Sequence, residues 1–283
     1  MINVEGYTNK NPHVIQITTS YFNGGETNVR IIEPKEHPDY QKIIVNASIT
    51  GPSDLIKMLL VKDALTREFG AAPVYVLRIG YIPYGRQDRV CKRGEAFSLH
   101  VMIQLINSMN FDEVRTLDIH SDASNGINNL KVTDQGSMIG QAFKVHRDIL
   151  AGEVIMVAPD KGARGKVKQL AKEMNVDFIQ AYKTRDPETG KLTEFKHDQV
   201  ADEHLGKRLL IVDDICDRGG TFIGLAEVLK ESGFGQIALY VSHGIFSKGL
   251  GPLYEGGIDH IFCADTIKHG YGTAKRFTNL YWS

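Results

Sequence analysis

The chain is poor in cysteine: three in 283 residues, Cys91, Cys216 and Cys263, too far apart to frame a disulfide scaffold or a zinc site. It has a single tryptophan and no run of about 18 apolar residues of the kind that crosses a membrane. Charge of either sign in excess is also missing. Thirty-three basic and 34 acidic side chains leave a net charge of −1, which excludes a general binder of nucleic acid or membrane surface. The first residues, Met-Ile-Asn-Val-Glu-Gly-Tyr, lack the pattern of a secretory leader, so a cytoplasmic location is expected. No Gly-Lys is followed by Ser or Thr at Walker A spacing, and no Gly-x-Gly-x-x-Gly occurs, so neither a P-loop nor a dinucleotide fold has support. What remains is ordinary globular composition, 42% hydrophobic and 24% charged, in a chain long enough for one large or two medium domains.

The most informative stretch runs from Arg208 to Thr221. An apolar run, Leu209-Leu210-Ile211-Val212, ends in Asp213 and Asp214; Asp217, Arg218, Gly219, Gly220 and Thr221 follow, and a helical pattern opens. This is the form of a buried parallel strand that delivers a loop to the edge of a sheet, where α/β proteins bind ligands. The glycines let backbone amides approach a phosphate, and the next helix points its positive end at it. The three acids can accept hydrogen bonds from sugar hydroxyls or hold a metal. A solvated acidic turn is the alternative for an acid pair alone; the strand, the third acid and Gly-Gly-Thr together favour a site.

Elsewhere apolar periodicity marks strands at Val14–Thr18, Val29–Ile32, Lys42–Val45, Pro73–Ile79, Val114–His120, Val154–Asp160, Phe178–Tyr182, Ile237–Ile245 and His260–Ala264. Helices are expected at Leu55–Phe69, with Pro52, Ser53 and Asp54 as its start signals, at Phe97–Met109, on to Leu170 and Met174 after Gly165, and at Phe222–Lys230. Strand, helix and strand at this spacing imply right-handed crossovers and parallel sheets. The expected architecture is α/β, two similar parallel-sheet domains divided at residues 1–145 and 146–283. Between the elements lie polar segments: a Gly-rich turn with Phe22 and Glu26, the segment Gly85-Arg86-Gln87-Asp88-Arg89, Asp118-Ile119-His120, Ala158-Pro159-Asp160, and Lys183-Thr184-Arg185 ahead of a turn-rich stretch at 186–191. Arginine forks match phosphate oxygens.

The loop from Asp213 to Thr221 resembles the phosphoribosyl-diphosphate motif of the type I phosphoribosyltransferase fold. With the other segments, in this order, the chain resembles the ribose-phosphate diphosphokinases (PRPP synthetases) from about residue 20 to 245. The resemblance implies magnesium as cofactor, ATP and a 5-phosphorylated ribose as partners, and a homo-oligomer in which Phe22 and Glu26 reach the adenine of ATP across a subunit interface. It implies ATP contacts from Arg86, Gln87, Arg89 and His120, metal contacts from His120 and Asp160, and cationic catalysis by Lys183 and Arg185. By the same likeness Asp213, Asp214 and Asp217 orient the ribose, and Gly219, Gly220 and Thr221 cradle its phosphate.

Some positions depart from the family pattern. Arg218 stands where Thr or Ser is usual, Gly24 where Asp is, Ala163 where Gly is, and the segment from Asp122 to Ile127 diverges. The chain is also expected to lack the first strand and helix of longer members. Ribose 5-phosphate is the acceptor the resemblance implies. Arg218 raises ADP-ribose as the alternative, since its fork could bridge a second phosphate. A non-catalytic protein associated with an active synthetase is the other class, against which the retained Lys183 and Arg185 speak. A nucleobase phosphoribosyltransferase would leave the Arg-Gln-Asp-Arg segment without a purpose.

Overall fold

The computed structural model describes residues 1–9, 11–32, 38–145, 154–185, 192–199, 204–267 and 277–282, the side chains of 145, 185 and 192–194 excepted. The chain divides into two compact units. The first comprises Met1–Thr133 and a short return after residue 265; the second begins at Asp134. Each is built on a seven-stranded sheet.

In the first unit the strands are β1 (Ile2–Thr8), β2 (Asn11–Tyr21), β3 (Thr27–Ile32), β4 (Lys42–Ala47), β5 (Val74–Ile79), β6 (Glu113–Leu117) and β7 (Leu130–Thr133), in the order β3-β2-β1-β4-β5-β6-β7. β4 to β7 pair in parallel, with α1 (Pro52–Phe69) and α2 (Ser98–Ser108) as crossovers. The contacts of β1 with β2 and β4, and of β2 with β3, are antiparallel. The sheet is therefore mixed. β1 leads directly into β2, with no helix between them among the described residues. Ile2 and Val4 of β1 are buried, with Ile15 of β2 beside them, while Val14 stays 76% exposed. This alternation suits a sheet covered on one face.

α1 begins three residues before the expected Leu55, because Pro52 supplies a preset φ at its first turn. Asp54 accepts from the amide and hydroxyl of Thr50 at 2.9 and 3.0 Å, tying the preceding loop rather than capping the helix. Lys62 lies on the buried stripe because its ammonium sits 4.2 Å from the centre of the Tyr75 ring and donates to Thr66 Oγ1 at 2.8 Å.

The second unit holds α3 (Gln135–Val145), β8 (Val154–Ala158), α4 (Arg164–Glu173), β9 (Asp177–Arg185), β10 (Leu192–His197), β11 (Arg208–Cys216), α5 (Gly220–Glu231), β12 (Ile237–Gly244), the short α6 (Gly251–Glu255), β13 (His260–Ala264) and β14 (Phe277–Leu280). The order is β10-β9-β8-β11-β12-β13-β14. All pairs are parallel except β9–β10. Every residue of β8, β12 and β13 is buried, as expected of parallel strands covered on both faces. α3 packs on β12 and β14, so the boundary falls at Thr133/Asp134 rather than after residue 145.

Two further expectations are corrected. β6 stops at Leu117, because Asp118 turns the backbone to a φ of +43°; Asp118 and His120 lie beyond the strand rather than at its end. β9 continues through Lys183 to Arg185, because β10 pairs with it and places Lys183 opposite Phe195. The Lys-x-Arg pair thus belongs to a two-stranded ribbon and not to a loop. The segment 186–191 and the basic tail with Lys268, His269, Lys275 and Arg276 lie outside the described residues.

Candidate active site

In the second unit, β11 carries Asp213 and Asp214 within its paired length, Asp213 lying opposite Val241 of β12. The chain leaves the sheet at Cys216, and Asp217 and Arg218 lead to Gly219. Gly219 has a φ of +81°, in the left-handed region, and a β-carbon there would lie 2.7 Å from Leu253 Cδ2. Only glycine fits both demands. Its carbonyl takes the amides of Phe222 and Ile223 at 2.9 and 3.0 Å, which starts α5. The amides of the first turn of a helix have no partner within it, so those of Gly220 and Thr221 suit an anion. Arg218 is exposed beside them.

Asp160 follows β8. Its Oδ1 accepts from the amides of Gly162 and Ala163 at 2.9 and 3.0 Å, and its Oδ2 accepts from Lys183 Nζ at 2.6 Å. Burial pushes this carboxyl up, but the Lys183 ammonium and the two amides outweigh it and hold the carboxyl below its usual range. Asp213 moves the other way. Burial raises it well above the usual carboxylate range, and the neighbouring charges of Asp214 and Asp160 add to the rise. Its Oδ1 accepts the Asp214 amide at 2.9 Å, which offsets only part of this. The second unit therefore gathers Asp160, Lys183, Asp213 and Asp214 into one electrostatically linked group.

The ribbon that carries Lys183 is seated through β10: the Phe195 ring fills the space over Gly224 of α5, where a β-carbon would collide with it. Arg185 ends β9, its side chain outside the description.

The first unit gathers a second set. After β5 the backbone turns tightly, with the Gly85 amide donating to Ile82 O at 3.1 Å and the Gln87 amide to Tyr84 O at 2.8 Å. Arg86, Gln87 and Arg89 project from this turn and are exposed. A β-carbon on Gly85 would stand 3.9 Å from that of His120, so the arginine turn and the residues after β6 are neighbours. Asp88, in the same segment, sits 3.5 Å from Arg89 Nε. Phe22, 61% exposed, and Glu26 occupy the turn between β2 and β3, closed by the bond from Phe22 N to Glu26 O at 2.9 Å.

Two side chains beside the acidic loop carry no signal in the sequence. Ser247 donates to Asp217 Oδ1 at 2.5 Å from a bend 30 positions downstream, and Leu253 abuts Gly219. Both rely on contacts between distant segments, for which local spacing has no mark.

Comparison with known proteins adds the following. The family described as "Phosphoribosyl transferase domain" matches residues 137–252. The chain is similar to the ribose-phosphate pyrophosphokinase of Pyrococcus furiosus, 30% identical over 266 residues that cover 93% of this chain and 90% of the relative. It is 31% identical to ribose-phosphate pyrophosphokinase 2 of Archaeoglobus fulgidus over 251 residues, 87% of this chain and 83% of the relative. Among solved structures, phosphoribosylpyrophosphate synthetase from Mycobacterium smegmatis shares the fold, with a TM-score of 0.77 and 24% identity over 95% of this chain and 87% of that one.

Proposed function

Because the chain belongs to the ribose-phosphate pyrophosphokinase family of enzymes, we propose that it transfers the β,γ-diphosphate of ATP to the anomeric hydroxyl of a 5-phosphorylated ribose, releasing AMP. The observation that carries this reading is the group in the second unit: three acids on β11 and the loop after it, leading to a helix N-terminus, with a half-buried Asp160–Lys183 pair electrostatically linked to them. The acids accept hydrogen bonds from ribose hydroxyls, and the amides of Gly219, Gly220 and Thr221 donate to the phosphate oxygens. In the first unit Arg86, Gln87 and Arg89 hold the ATP phosphates, and His120, next to that turn, adds a donor.

The anomeric hydroxyl oxygen attacks the β-phosphorus, the bond from the β-phosphorus to the α-phosphate oxygen breaks, AMP leaves with that oxygen, and the hydroxyl proton passes to solvent. Charge gathers on the transferring group, and Lys183 with Arg185 stabilises it. Lys183 is oriented for this by Asp160. Positioning supplies most of the acceleration in such transfers, so a dedicated general base is not required.

Magnesium fits the donor set in a limited way. Among the described residues no three acidic, imidazole or thiol groups converge to hold an ion. Asp160 has two oxygens and is engaged by one cation and two amides, so it offers one ligand to an ion held otherwise by phosphates and water, as magnesium prefers. Bound there, the ion would neutralise the diphosphate. That oxygen preference argues for His120 as a phosphate donor rather than a metal ligand.

Phe22 and Glu26, exposed at a hairpin turn, suit the cross-subunit adenine contact, and the protein is read as a homo-oligomer. No helix among the described residues is long and apolar enough to cross a membrane, and a cytoplasmic location is part of the proposal.

A second acceptor is favoured by one observation. Arg218 is exposed immediately before the helix start that would bind the 5-phosphate, and its fork could bridge the second phosphate of ADP-ribose. The test is AMP release from magnesium-ATP with ribose 5-phosphate and ADP-ribose in parallel, products identified by mass spectrometry. A rate with ribose 5-phosphate at least equal to that with ADP-ribose removes the second reading. AMP release with neither removes both and leaves a regulatory protein.

A further inference from the structure

The bend after β12, residues 245–250, has no part in the roles above, yet it is bonded to the acidic loop at four points. The amides of Ile245 and Phe246 both donate to the Cys216 carbonyl, at 2.8 and 3.1 Å. The Ser247 amide donates to the Asp217 carbonyl at 3.2 Å, and the Ser247 hydroxyl to Asp217 Oδ1 at 2.5 Å. Beyond the bend, Leu253 of α6 presses on Gly219.

The bend is also strained. Phe246 has a φ of +46°, where bulky side chains are outliers, yet it is only 3% exposed. Its ring packs edge-on against Phe277, with centroids 6.1 Å apart, and its carbonyl takes the Gly249 amide at 2.8 Å. Such backbone persists only where the surroundings over-determine it, and it tends to gather at ligand clamps. Here the buried Phe246 anchor places Ser247 next to Asp217.

We propose that Ser247 is a positioning residue for the acceptor: its hydroxyl fixes the Asp217 carboxylate in the orientation that receives the ribose. This rests on the reading of the acidic loop given above. A carboxylate on a loop has several rotamers open to it, and a charge-assisted bond at 2.5 Å selects one. A carboxylate accepts at about four positions, so the serine does not saturate it. A group ordered before the ligand arrives costs less to order on binding. Three of the four bonds come from the backbone, so removing the hydroxyl leaves the bend in place and isolates the side chain's effect.

The test is calorimetric binding of ribose 5-phosphate and ADP-ribose to the full chain, with steady-state kinetics alongside, for the wild type, Ser247→Ala and Ser247→Thr. In S247A, affinity for the acceptor and its KM should worsen about fivefold to tenfold. kcat, KM for ATP and the melting temperature should hold, and S247T should restore binding. In an Asp217→Ala background, Ser247→Ala should change nothing further. If S247A alone is unstable, S247T keeps the test decisive, because it reports the hydroxyl in a folded protein. Equal acceptor affinity in wild type and S247A overturns the proposal, as does an S247T no better than S247A or an equal loss of ATP affinity. A wild type that binds neither acceptor overturns the functional reading itself, and the proposal with it.

Discussion

Gly219→Ala is a sharp probe of the phosphate loop, because the structure separates two costs at one atom. A left-handed φ of +81° costs a residue with a β-carbon about 1–2 kcal/mol. The new methyl would also stand 2.7 Å from Leu253 Cδ2, well inside the ~3.5–4.0 Å of favourable carbon contact. Leu253 is 1% exposed and cannot swing into solvent, so overpacking adds about 1–3 kcal/mol. The expected total is about 2–5 kcal/mol. In a Leu253→Ala background, which itself costs about 2–5 kcal/mol, the collision is gone and only the backbone cost of about 1–2 kcal/mol remains. The double-mutant cycle should thus show a coupling of about 1–3 kcal/mol.

The chain supplies its own reporter. Trp282 is the only tryptophan and belongs to the second unit, so its fluorescence in a urea titration follows that unit's unfolding. A Gly219→Ala cost that is the same in both backgrounds, within about 0.5 kcal/mol, refutes the collision. A cost near zero in the Leu253→Ala background refutes the backbone term.

The other expectations follow from the same loop and its neighbours. Asp213, raised by burial and by Asp214 and Asp160, opposes folding wherever the native state must carry it ionised. Asp213→Asn should therefore raise the melting temperature of the ligand-free protein near neutral pH, with the gain fading as pH falls toward the ordinary carboxylate range near 4, while acceptor binding is lost; a gain unchanged by pH would contradict this. Lys183→Met should lower kcat by roughly 10²–10³ with little change in acceptor affinity, measured by AMP release and calorimetry, and a KM effect alone would take Lys183 out of catalysis. Arg218→Thr should shift preference from ADP-ribose toward ribose 5-phosphate by about tenfold or more, read from paired kcat/KM values, and an unchanged ratio would make the arginine neutral. Glu113 is held below its usual range first by its bond to Lys131, against burial, with Arg115 helping. A depressed carboxyl contributes stability above its unfolded value and loses it as pH falls, so Lys131→Met should flatten the acid limb of the first unit's melting profile.

Legibility in the sequence tracked how local each feature is. The β11 run, its acids and the start of α5 were readable because burial on both faces, a left-handed glycine and a helix start leave marks within a dozen residues. α1 and α2 showed their buried stripes for the same reason. Features that depend on a distant partner were not readable. β1 alternates Ile2, Val4 and Gly6 inward, but Gly6 looks like a break until the Tyr40 ring is seen to fill the space above it. β10 is polar and becomes a strand because β9 pairs with it, which moved Lys183 and Arg185 from an expected loop onto a ribbon. α3 follows β7 after a single residue in sequence, yet packs on β12 and β14.

The same division runs through the acidic loop itself. Residue type and order announced which groups could touch a sugar phosphate: Asp213, Asp214, Asp217, Gly219. They did not announce which way each carboxyl would shift. Asp160 follows one buried strand and Asp213 lies within another, and their chain neighbours begin to separate them: the amides of Gly162 and Ala163 bond Asp160, while Asp214 adjoins Asp213. The fold completes the separation: burial raises Asp213 most, with Asp214 and Asp160 adding to the rise, while Lys183, 23 positions downstream, bonds Asp160. One carboxyl is driven down and its neighbour up, which is the asymmetry a site needs if one acid is to hold a cation while the next meets a neutral sugar hydroxyl. The register that brings β9 beside β8 is therefore as much a part of the chemistry as the aspartates it polarises.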